Sequence, residues 1–277
     1  MTSFFIRLFE HNHMENITYA EPYAGGVGAG INLLVLDKIE RLIINDANIG
    51  IYSFWKSFVN DPDRFIGKVR DVNVSLEEWE RQHHIYKRAT EPSVELGFAV
   101  FFLSRTNRSG ILSAGPIGGR NVSRQETATY KINCRFNKPM LIKRLETIAA
   151  KADQISVHNL DAIDFLQKLD EKTFVYLDPP YFVKGGCLYM NHYLENDHVK
   201  LANDLKKVSF RWVLSYDNVP EIRELYKNYD LFRFELSYSA HTSKKGEELL
   251  THSSNISMPK ESTIQLKNRQ VEIERMS

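Results

Sequence analysis

Three stretches of the chain differ in the spacing of their hydrophobic residues. The first has an apolar run over residues 17–21, four glycines between residues 25 and 30, an apolar segment over 31–39 and a second run ending at Asp46. Short apolar runs indicate buried strands, and a glycine turn followed by a helix is typical of the link between parallel strands. We therefore predict a βαβ unit at the start of the chain.

The middle stretch is helical at first and then loses its periodicity. From residue 49 to about 105, apolar residues recur at helical intervals, and Ser75 followed by Glu77 and Glu78 is typical of a helix start. Residues 110–131 are rich in glycine, serine and arginine without periodicity, which is typical of a long functional loop. We predict a helical, basic-loop insertion over residues 51–149.

Alternating helix and strand patterns return after residue 137. The apolar runs QISVHN, TFVYLD, RWVLSYD, LFRFELSYS and EELLTHS follow one another, most of them separated by helical segments. This rhythm predicts one α/β sheet domain made of residues 1–50 and 150–258, which the insertion interrupts. Residues 259–277 are expected to be a loose polar tail.

Composition narrows the class of protein. The 277 residues are 43% hydrophobic and 26% charged, which is typical of soluble globular proteins, and no apolar run approaches a membrane span. The two cysteines, Cys134 and Cys187, are far apart, and the nine histidines form no metal-ligand pair. We therefore expect an intracellular protein with no disulfide framework, no metal site and no membrane role.

Charge is unevenly distributed, although the formal net charge is only +1. Residues 103–151 contain ten basic residues and two acidic ones. This segment either faces an anionic partner or is a solvated loop, and a nucleic acid would have to be bound through such a local excess of positive charge.

Acidic residues stand where several predicted strands end. Glu21, Asp46 and Asp178 each close a strand, and Asp161 follows another. The carboxyl ends of parallel strands meet at the ligand-binding edge of an open sheet, and an acid there beside a glycine turn suits a nucleoside. Each feature has a structural alternative, which is a tight turn for the glycines and a helix N-cap for Asp46 or Asp161.

The stretch FVYLDPPYF combines a buried strand with an acid, two prolines and aromatic rings. Pro179 and Pro180 lack amide donors and have a restricted φ, so the backbone beside Asp178 offers fixed acceptors. Such acceptors can bind both hydrogens of an exocyclic amine while Tyr181 stacks on the ring that carries it. The alternative is a turn with a capping acid, which requires neither the strand-end acid nor the aromatic ring.

The order EPYAGG, FFLSRTNRSGI and VYLDPPYF resembles the Dam-like, or D12-class, DNA adenine-N6 methyltransferases. The resemblance covers residues 17–250. It implies a Rossmann-like, S-adenosylmethionine-dependent methyltransferase sheet with helices on both faces and a helical insertion. It implies adenine as the target, because related N4-cytosine enzymes generally carry SPPY and protein-glutamine enzymes NPPY. Such a site requires the base to be flipped out of the duplex.

The resemblance also implies roles for individual residues. Those that would hold the flipped adenine are Asp178, Pro179, Pro180 and Tyr181. Those that would bind the cofactor are Glu21, Pro22, Tyr23, Ala24, Gly25, Gly26 and Gly28 on the methionine side, Asp46 at the ribose, Asp161 at the adenine, and Asp178. No metal is needed, since the methyl group is already activated on its sulfonium carrier.

The basic insertion would contact double-stranded DNA. Candidate contacts are Arg105, Asn107, Arg108, Arg120 and Arg124, together with Lys244 and Lys245 in a late hairpin. Each arginine could contact either a phosphate or a base, and the lysines could instead lie in a solvated loop. The expected protein is a monomer or weak dimer in a bacterial, phage or prophage host cytoplasm, and a companion restriction endonuclease is an allowed partner.

One departure from the family pattern concerns the cofactor. Family members usually have a PGGK-like or WAGGK-like segment before the first strand, whereas this chain begins MTSFFIRLFEHNHMENITYAEP. Either this segment is absent from the chain or the pocket is open on one side, and we expect weakened S-adenosylmethionine affinity. Two alternative functions remain open, an RNA adenine-N6 methyltransferase and a catalytically weakened DNA-binding relative.

Overall fold

The computed structural model describes residues 1–182, 193–238, 244–260, 262–265 and 270–276, without the side chains of residues 236–238, 244 and 245. The chain divides into two units. The first consists of Met1–Ala47 and Leu160–Ser277, and the second of Asn48–Asn159. The first unit is thus discontinuous in sequence, and the second unit contains all of residues 51–149, the segment that the sequence assigns to the insertion.

The strands of the first unit form a mixed sheet. Along the chain the strands are β1 (Thr18–Glu21), β2 (Arg41–Asn45), β3 (Ile155–His158, in the second unit), β4 (Thr173–Leu177), β5 (Arg211–Asp217), β6 (Leu231–Tyr238), β7 (Lys244–His252), β8 (Thr263–Gln265), β9 (Gln270–Glu272) and β10 (Glu274–Arg275). Within the first unit the strand order is β10-β6-β7-β5-β4-β1-β2. The pairs β1–β2, β1–β4 and β4–β5 are parallel, and β7 is antiparallel to β5 and β6. This is the expected Rossmann-like sheet, with an antiparallel strand inserted near one edge.

The helices are divided between the two units. Along the chain they are α1 (Thr2–His11), α2 (Gly28–Val35), α3 (Ile49–Asn60), α4 (Pro62–Asp71), α5 (Leu76–Arg88), α6 (Val94–Thr106), α7 (Val122–Thr127), α8 (Lys138–Ala149), α9 (Ala162–Leu166), α10 (Glu195–Leu205) and α11 (Pro220–Leu225). Helices α3 to α8 lie in the second unit and the others in the first.

One face of the sheet is covered by α1. Phe5 and Phe9 of α1 contact Tyr19, Phe174 and Tyr176 of β1 and β4 at ring-centroid distances between 4.9 and 5.7 Å. These aromatic contacts fix the side of the sheet on which alternate residues of β1 and β4 point.

The other face packs against α9, α10 and α11. Val175 and Leu214 of the sheet share a core with Phe165, Leu201 and Ile222, one from each helix. Because both faces are covered, all five residues of β4 are buried, which accounts for the continuous apolar run TFVYL. The acid that follows this strand is the first residue beyond the buried run.

The C-terminal residues form strands rather than a loose tail. Strand β8 pairs with β9, and β10 pairs with β6 in the sheet. The guanidinium of Arg7 in α1 donates hydrogen bonds to the main-chain oxygen of Thr263 and, at 2.6 Å, to its Oγ1. Main-chain pairing orders this segment, which its polar composition does not indicate.

The second unit is mainly helical. Helices α3 and α6 approach closely because Gly97 has no side chain: a Cβ built there would lie 2.4 Å from Ser53 O. The rings of Phe54, Phe65 and Phe101 contact one another with centroids 5.6 to 5.8 Å apart. Strand β3 packs against α3 in this unit. Among the described residues, no helix is long and apolar enough to cross a membrane.

Candidate active site

The carboxyl of Asp178 is held by the hydroxyl group of Ser215, which Tyr176 contacts in turn. Asp178 directly follows β4, and its Oδ1 accepts a hydrogen bond from Ser215 Oγ on β5 at 2.9 Å. Tyr176 OH lies 2.9 Å from Ser215 Oγ. Because the Ser215 proton is used in the bond to Asp178, Tyr176 donates this second bond. The end of β4 therefore carries an oriented acceptor.

The pKa of Asp178 is raised to about 7. Desolvation by the surrounding protein is the largest cause, the negative charge of Glu248 is the second, and the hydrogen bond from Ser215 opposes both. The residue nevertheless keeps exposed surface. These two facts together describe a side chain on the wall of an open cavity, where protein atoms surround it but a ligand can reach it. Asp178 thus changes its protonation near neutral pH.

The two aromatic residues that follow the prolines are tied to neighbouring strands. Tyr181 OH donates to Glu248 Oε1 on β7 at 2.7 Å, and Phe182 N donates to Asp217 Oδ1 on β5 at 2.9 Å. Glu248 and Asp217 are opposite each other in the antiparallel pairing of β7 and β5, and both are buried. The orientation of the Tyr181 ring is therefore set by the sheet itself.

Two prolines stand between Asp178 and Tyr181. Pro179 is buried and Pro180 is half-buried. Their rings restrict φ and remove two amide donors, so the backbone here can accept hydrogen bonds but cannot donate them. Asp178 and the adjacent carbonyl groups can together accept the hydrogens of an amino group.

The glycine turn after β1 is bonded to the end of β2. Gly25 N donates to Asp46 Oδ2 at 2.9 Å, and Ala24 N donates to Asn45 O at 3.0 Å. Gly25 has a φ of +48° and Val27 a φ of +44°. The second value is strained, because a β-branched residue disfavours the left-handed region. The bonds to β2 help to hold this strained turn.

Three glycines of the turn border open space. A Cβ built at Gly25, Gly26 or Gly28 would meet no atom within 4 Å, whereas one at Gly30 would lie 2.7 Å from a Leu42 methyl group. Gly30 is thus required for the packing of α2 on the sheet, and the other three leave room beside the main chain. This arrangement fits a nucleoside-type ligand that approaches the backbone closely.

Glu21 lies beneath the turn, although the sequence placed it among the residues lining the pocket. It is buried, and its Oε1 accepts hydrogen bonds from Tyr19 OH and Gly30 N, both at 3.0 Å. Burial raises the pKa of Glu21 to about 8, the negative charge of Asp178 acts in the same direction, and the two hydrogen bonds oppose them. Glu21 therefore anchors the start of α2.

Asn45 connects the glycine turn to the loop before α9. Its side chain is fully buried. Nδ2 donates to Pro22 O at 3.0 Å and to Leu160 O at 3.1 Å, and Oδ1 accepts from Leu160 N at 2.9 Å. The next residue, Asp161, is exposed and caps α9 by accepting from Ile163 N at 2.9 Å. Asp161 is thus the N-cap of α9, and Asn45 sets its position relative to the glycine turn after β1.

Tyr23 of the turn contacts Tyr193 before α10, with their hydroxyl oxygens 2.6 Å apart. Burial raises the pKa of Tyr193, and the negative charge of Asp161 contributes to this shift. Tyr23, Tyr193 and Asp161 therefore lie near one another, and in the same unit the negative charge of Asp178 contributes to the raised pKa of Glu21.

The second unit exposes four of the predicted DNA contacts, which are Arg105, Arg108, Arg120 and Arg124. The structure corrects the prediction for Asn107, which is fully buried. Its Oδ1 accepts from Trp79 Nε1 at 2.6 Å, and its Nδ2 donates to Ile111 O and Leu112 O, each at 2.9 Å. These three hydrogen bonds use the amide group of Asn107 within the protein, so Asn107 stabilises the second unit and does not contact DNA. The side chains of Lys244 and Lys245 lie outside the described residues.

Three residues that orient this site were not identified from the sequence: Ser215, Glu248 and Asn45. Ser215 lies inside the apolar strand RWVLSYD and Asn45 ends the apolar run RLIIN, whereas Glu248 lies in KKGEELLTH, whose polar residues do not single it out. A polar residue in an apolar run must find a hydrogen-bond partner within the core, which is the signal that could have revealed Ser215 and Asn45. In the part of the chain that the structure describes, no group of three or more histidine, cysteine or acidic residues could hold a metal ion.

Three relatives are similar to this chain over much of its length. It is 24% identical over 239 residues to Type II methyltransferase M.CviBI of Paramecium bursaria Chlorella virus NC1A, covering 84% of this chain and 86% of the relative. It is 26% identical over 209 residues to Type II methyltransferase M.MjaIII of Methanocaldococcus jannaschii, covering 70% of each. It is 23% identical over 246 residues to modification methylase StsI of Streptococcus sanguinis, covering 84% of this chain and 33% of the relative.

A family model extends over more of the chain than the individual relatives. The model described as D12 class N6 adenine-specific DNA methyltransferase matches residues 2–240. This match includes the glycine turn, the basic insertion and the stretch from Asp178 to Tyr181. The chain therefore belongs to the D12 class of N6 adenine-specific DNA methyltransferases.

Proposed function

We propose that this protein transfers a methyl group from S-adenosylmethionine to N6 of an adenine that is flipped out of duplex DNA, and that Asp178 binds the target amine. The observation that supports this proposal is the oriented carboxyl at the end of β4, followed by two prolines and a fixed tyrosine ring. This combination suits a planar base with an exocyclic amino group.

Asp178 and the carbonyl groups beside Pro179 and Pro180 accept the N6 hydrogens, and Tyr181 stacks on the base. A carboxyl with a pKa of about 7 is ionised in an appreciable fraction near neutral pH and can receive the proton that N6 loses. Ser215 keeps the carboxyl in place throughout. Catalysis on this proposal consists mainly of positioning, since the amine is brought into line with the methyl group by fixed acceptors.

The open space beside the glycine turn would hold the cofactor. Pro22, Tyr23, Ala24, Gly25, Gly26 and Gly28 would line its methionine side, Asp46 would bind the ribose hydroxyls and Asp161 would lie near its adenine. Asp46 Oδ2 accepts a hydrogen bond from Gly25 N, which places this carboxylate beside the turn. Glu21 supports this turn from below. Bound S-adenosylmethionine would supply an activated methyl group.

The macromolecular partner is duplex DNA. The residues that would contact it are Arg105, Arg108, Arg120, Arg124, Lys244 and Lys245. The four arginines are exposed in the second unit, which supports their assignment as DNA contacts. On this proposal the protein is a monomer or weak dimer and acts in the cytoplasm of a bacterial, phage or prophage host. A companion restriction endonuclease is its partner.

The proposal is tested by incubating the protein with tritiated S-adenosylmethionine and either duplex DNA or RNA. Label should appear in N6-methyladenine of duplex DNA, and Asp178→Ala should reduce it at least a hundredfold, while Glu171→Ala should not. Glu171 is a suitable control because it is an exposed acid beside the opposite end of β4. Label in cytosine, or only in RNA, would contradict the proposal.

Calorimetry with S-adenosylmethionine separates an enzyme from a DNA-binding relative that is weakened in catalysis. Heat of binding that saturates at one cofactor per chain is expected. Salt-sensitive DNA binding without any cofactor binding would instead favour the second function.

A further inference from the structure

Two arginines of the second unit converge on the same point in space. Arg108 Nη2 lies 3.4 Å and Arg120 Nε 3.6 Å from the position that a Cβ of Gly115 would occupy. Glycine has no side chain, so the space between the two guanidinium groups is open at this point. Neither arginine forms an ion pair with a carboxylate among the residues that the structure describes.

The main chain places Arg108 opposite Gly115. Arg108 N donates to Gly115 O at 3.1 Å, and Ile117 N donates to Thr106 O at 2.8 Å. Between these bonds lies an antiparallel bridge from Asn107 to Pro116. The short pairing is closed at its base by the buried amide of Asn107, so the position of Arg108 relative to Gly115 is fixed by backbone hydrogen bonds.

Arg120 is held by an aromatic ring instead of an acid. Its guanidinium carbon lies 5.0 Å from the centre of the Trp79 ring, which is a cation–π distance. Trp79 is fully buried and donates to Asn107 Oδ1, so this ring cannot shift easily. The main chain just before Arg120 is also held in place, because Gln125 Nε2 donates to Ile117 O at 2.7 Å and to Gly119 O at 2.8 Å.

Both positive charges therefore border the same open position over Gly115, and no described carboxylate neutralises them. Like charges near one point repel each other, and an anion that contacts both would remove the repulsion. A phosphate group suits this geometry because guanidinium groups donate to its oxygens in a fixed plane. A base edge suits it less well, since a single bidentate arginine satisfies the acceptors of a guanine.

We propose that Arg108 and Arg120 together bind one phosphate group of the nucleic-acid backbone in the space over Gly115. This inference rests on the proposed function, in which the second unit contacts DNA. Arg105 and Arg124 are not assigned to this phosphate site. Arg105 lies near the positive charge of Arg135, and the side chain of Arg124 lies beside Gly119.

The test is the salt dependence of duplex-DNA affinity for Arg108→Gln, Arg120→Gln and the double variant. Each neutralised phosphate contributes about 0.9 to the slope of log affinity against log salt. A shared phosphate predicts that the double variant loses no more than about 0.9 of the slope, because the pair neutralises only one phosphate. Separate phosphates predict a loss of about 1.8 in the double variant, and that additive result would overturn the inference. Arg124→Gln combined with Arg120→Gln is the control pair, whose effects should add.

Gly115→Ala tests the same site without changing any charge. The added methyl group would be in ordinary van der Waals contact with both arginines, so the fold should be retained while the phosphate position is filled. Affinity should fall about tenfold with a smaller salt slope. Gly67→Ala is the control, because a Cβ there meets no atom within 4 Å. Unchanged DNA affinity in a folded Gly115→Ala protein would refute the shared site.

These results are separable from a failure of the proposed function. Methyl transfer by the unmodified protein with additive arginine variants would refute only the shared phosphate. Non-additive DNA binding in a protein that transfers no methyl group would refute only the proposed function.

Discussion

The rate of methyl transfer should depend on the protonation of Asp178, whose pKa is raised to about 7. Only the ionised carboxylate can receive the proton that the amine loses, and it accepts a hydrogen bond from the amine more strongly than the neutral acid does. The rate should therefore fall as the pH decreases through this pKa. With a pKa of about 7, about half of the protein is in the active form at pH 7 and about a tenth at pH 6.

Two conservative variants should move this pH dependence in opposite directions. Ser215→Ala removes the hydrogen bond that lowers the pKa of Asp178, so the midpoint should move to higher pH. Glu248→Gln removes the negative charge that raises this pKa, so the midpoint should move to lower pH. It also keeps an oxygen that can accept from Tyr181 OH. A general loss of stability would not produce shifts of opposite sign.

Single-turnover rates with saturating cofactor and DNA, measured from about pH 5.5 to about pH 9, give the midpoint for each variant. Thermal denaturation at each pH separates a change in rate from unfolding. Thr251→Val is the control, since it removes a buried hydrogen bond to Asp230 O and should leave the midpoint unchanged. A flat profile in the unmodified protein, or shifts of the same sign in both variants, would refute the role of Asp178 as the titrating acceptor.

Three further predictions concern stability. Asn45→Ala removes three buried hydrogen bonds and should lower the free energy of unfolding, measured in urea, by about 3 kcal/mol. It should also raise KM for S-adenosylmethionine more than KM for DNA. Equal changes in the two KM values would contradict the role of Asn45 in linking the glycine turn to Asp161. The pKa of Glu21 is raised from 4.5 to about 8, so its stabilising contribution is complete below pH 4.5 and is lost as the pH rises to about 8. The melting temperature should fall over this range, less so in Glu21→Gln; an equal fall in both would count against this assignment. Gly97→Ala forces a Cβ to 2.4 Å from Ser53 O and should destabilise the protein by about 3 kcal/mol, whereas Gly67→Ala should stabilise it by roughly 0.5 to 1 kcal/mol; a harmless Gly97→Ala would show that the helices can separate.

The elements of the sheet were predictable because they depend on local patterns. Strand β4 is buried on both faces and reads as a continuous apolar run, so its end at Asp178 is visible in the sequence. The glycine turn and the apolar helix after it were also recognised, although α2 begins at Gly28, earlier than predicted. Strands β8 to β10 were missed because they are only two or three residues long and carry no clear apolar pattern, and because β10 is ordered by pairing with β6, far away in sequence.

The predicted DNA residues show where local patterns fail. Asn107 and Arg108 are adjacent in one motif, but the first is buried and bonded to Trp79 while the second is exposed. Both are polar, so hydropathy does not separate them. Only the turn from α6 into the short pairing decides which side chain points inward.

The sequence by itself determined the order of strands β1 to β7, the acid, prolines and tyrosine at the end of β4, and the basic character of the insertion. Only the tertiary structure decided which polar residues position that acid. Ser215 lies beside Asp178 because Leu177 pairs with Leu214 in the parallel register of β4 and β5, and Glu248 reaches Tyr181 from the antiparallel β7. Register is set by long-range main-chain hydrogen bonds and by the packing of both sheet faces, which no local stretch of sequence specifies.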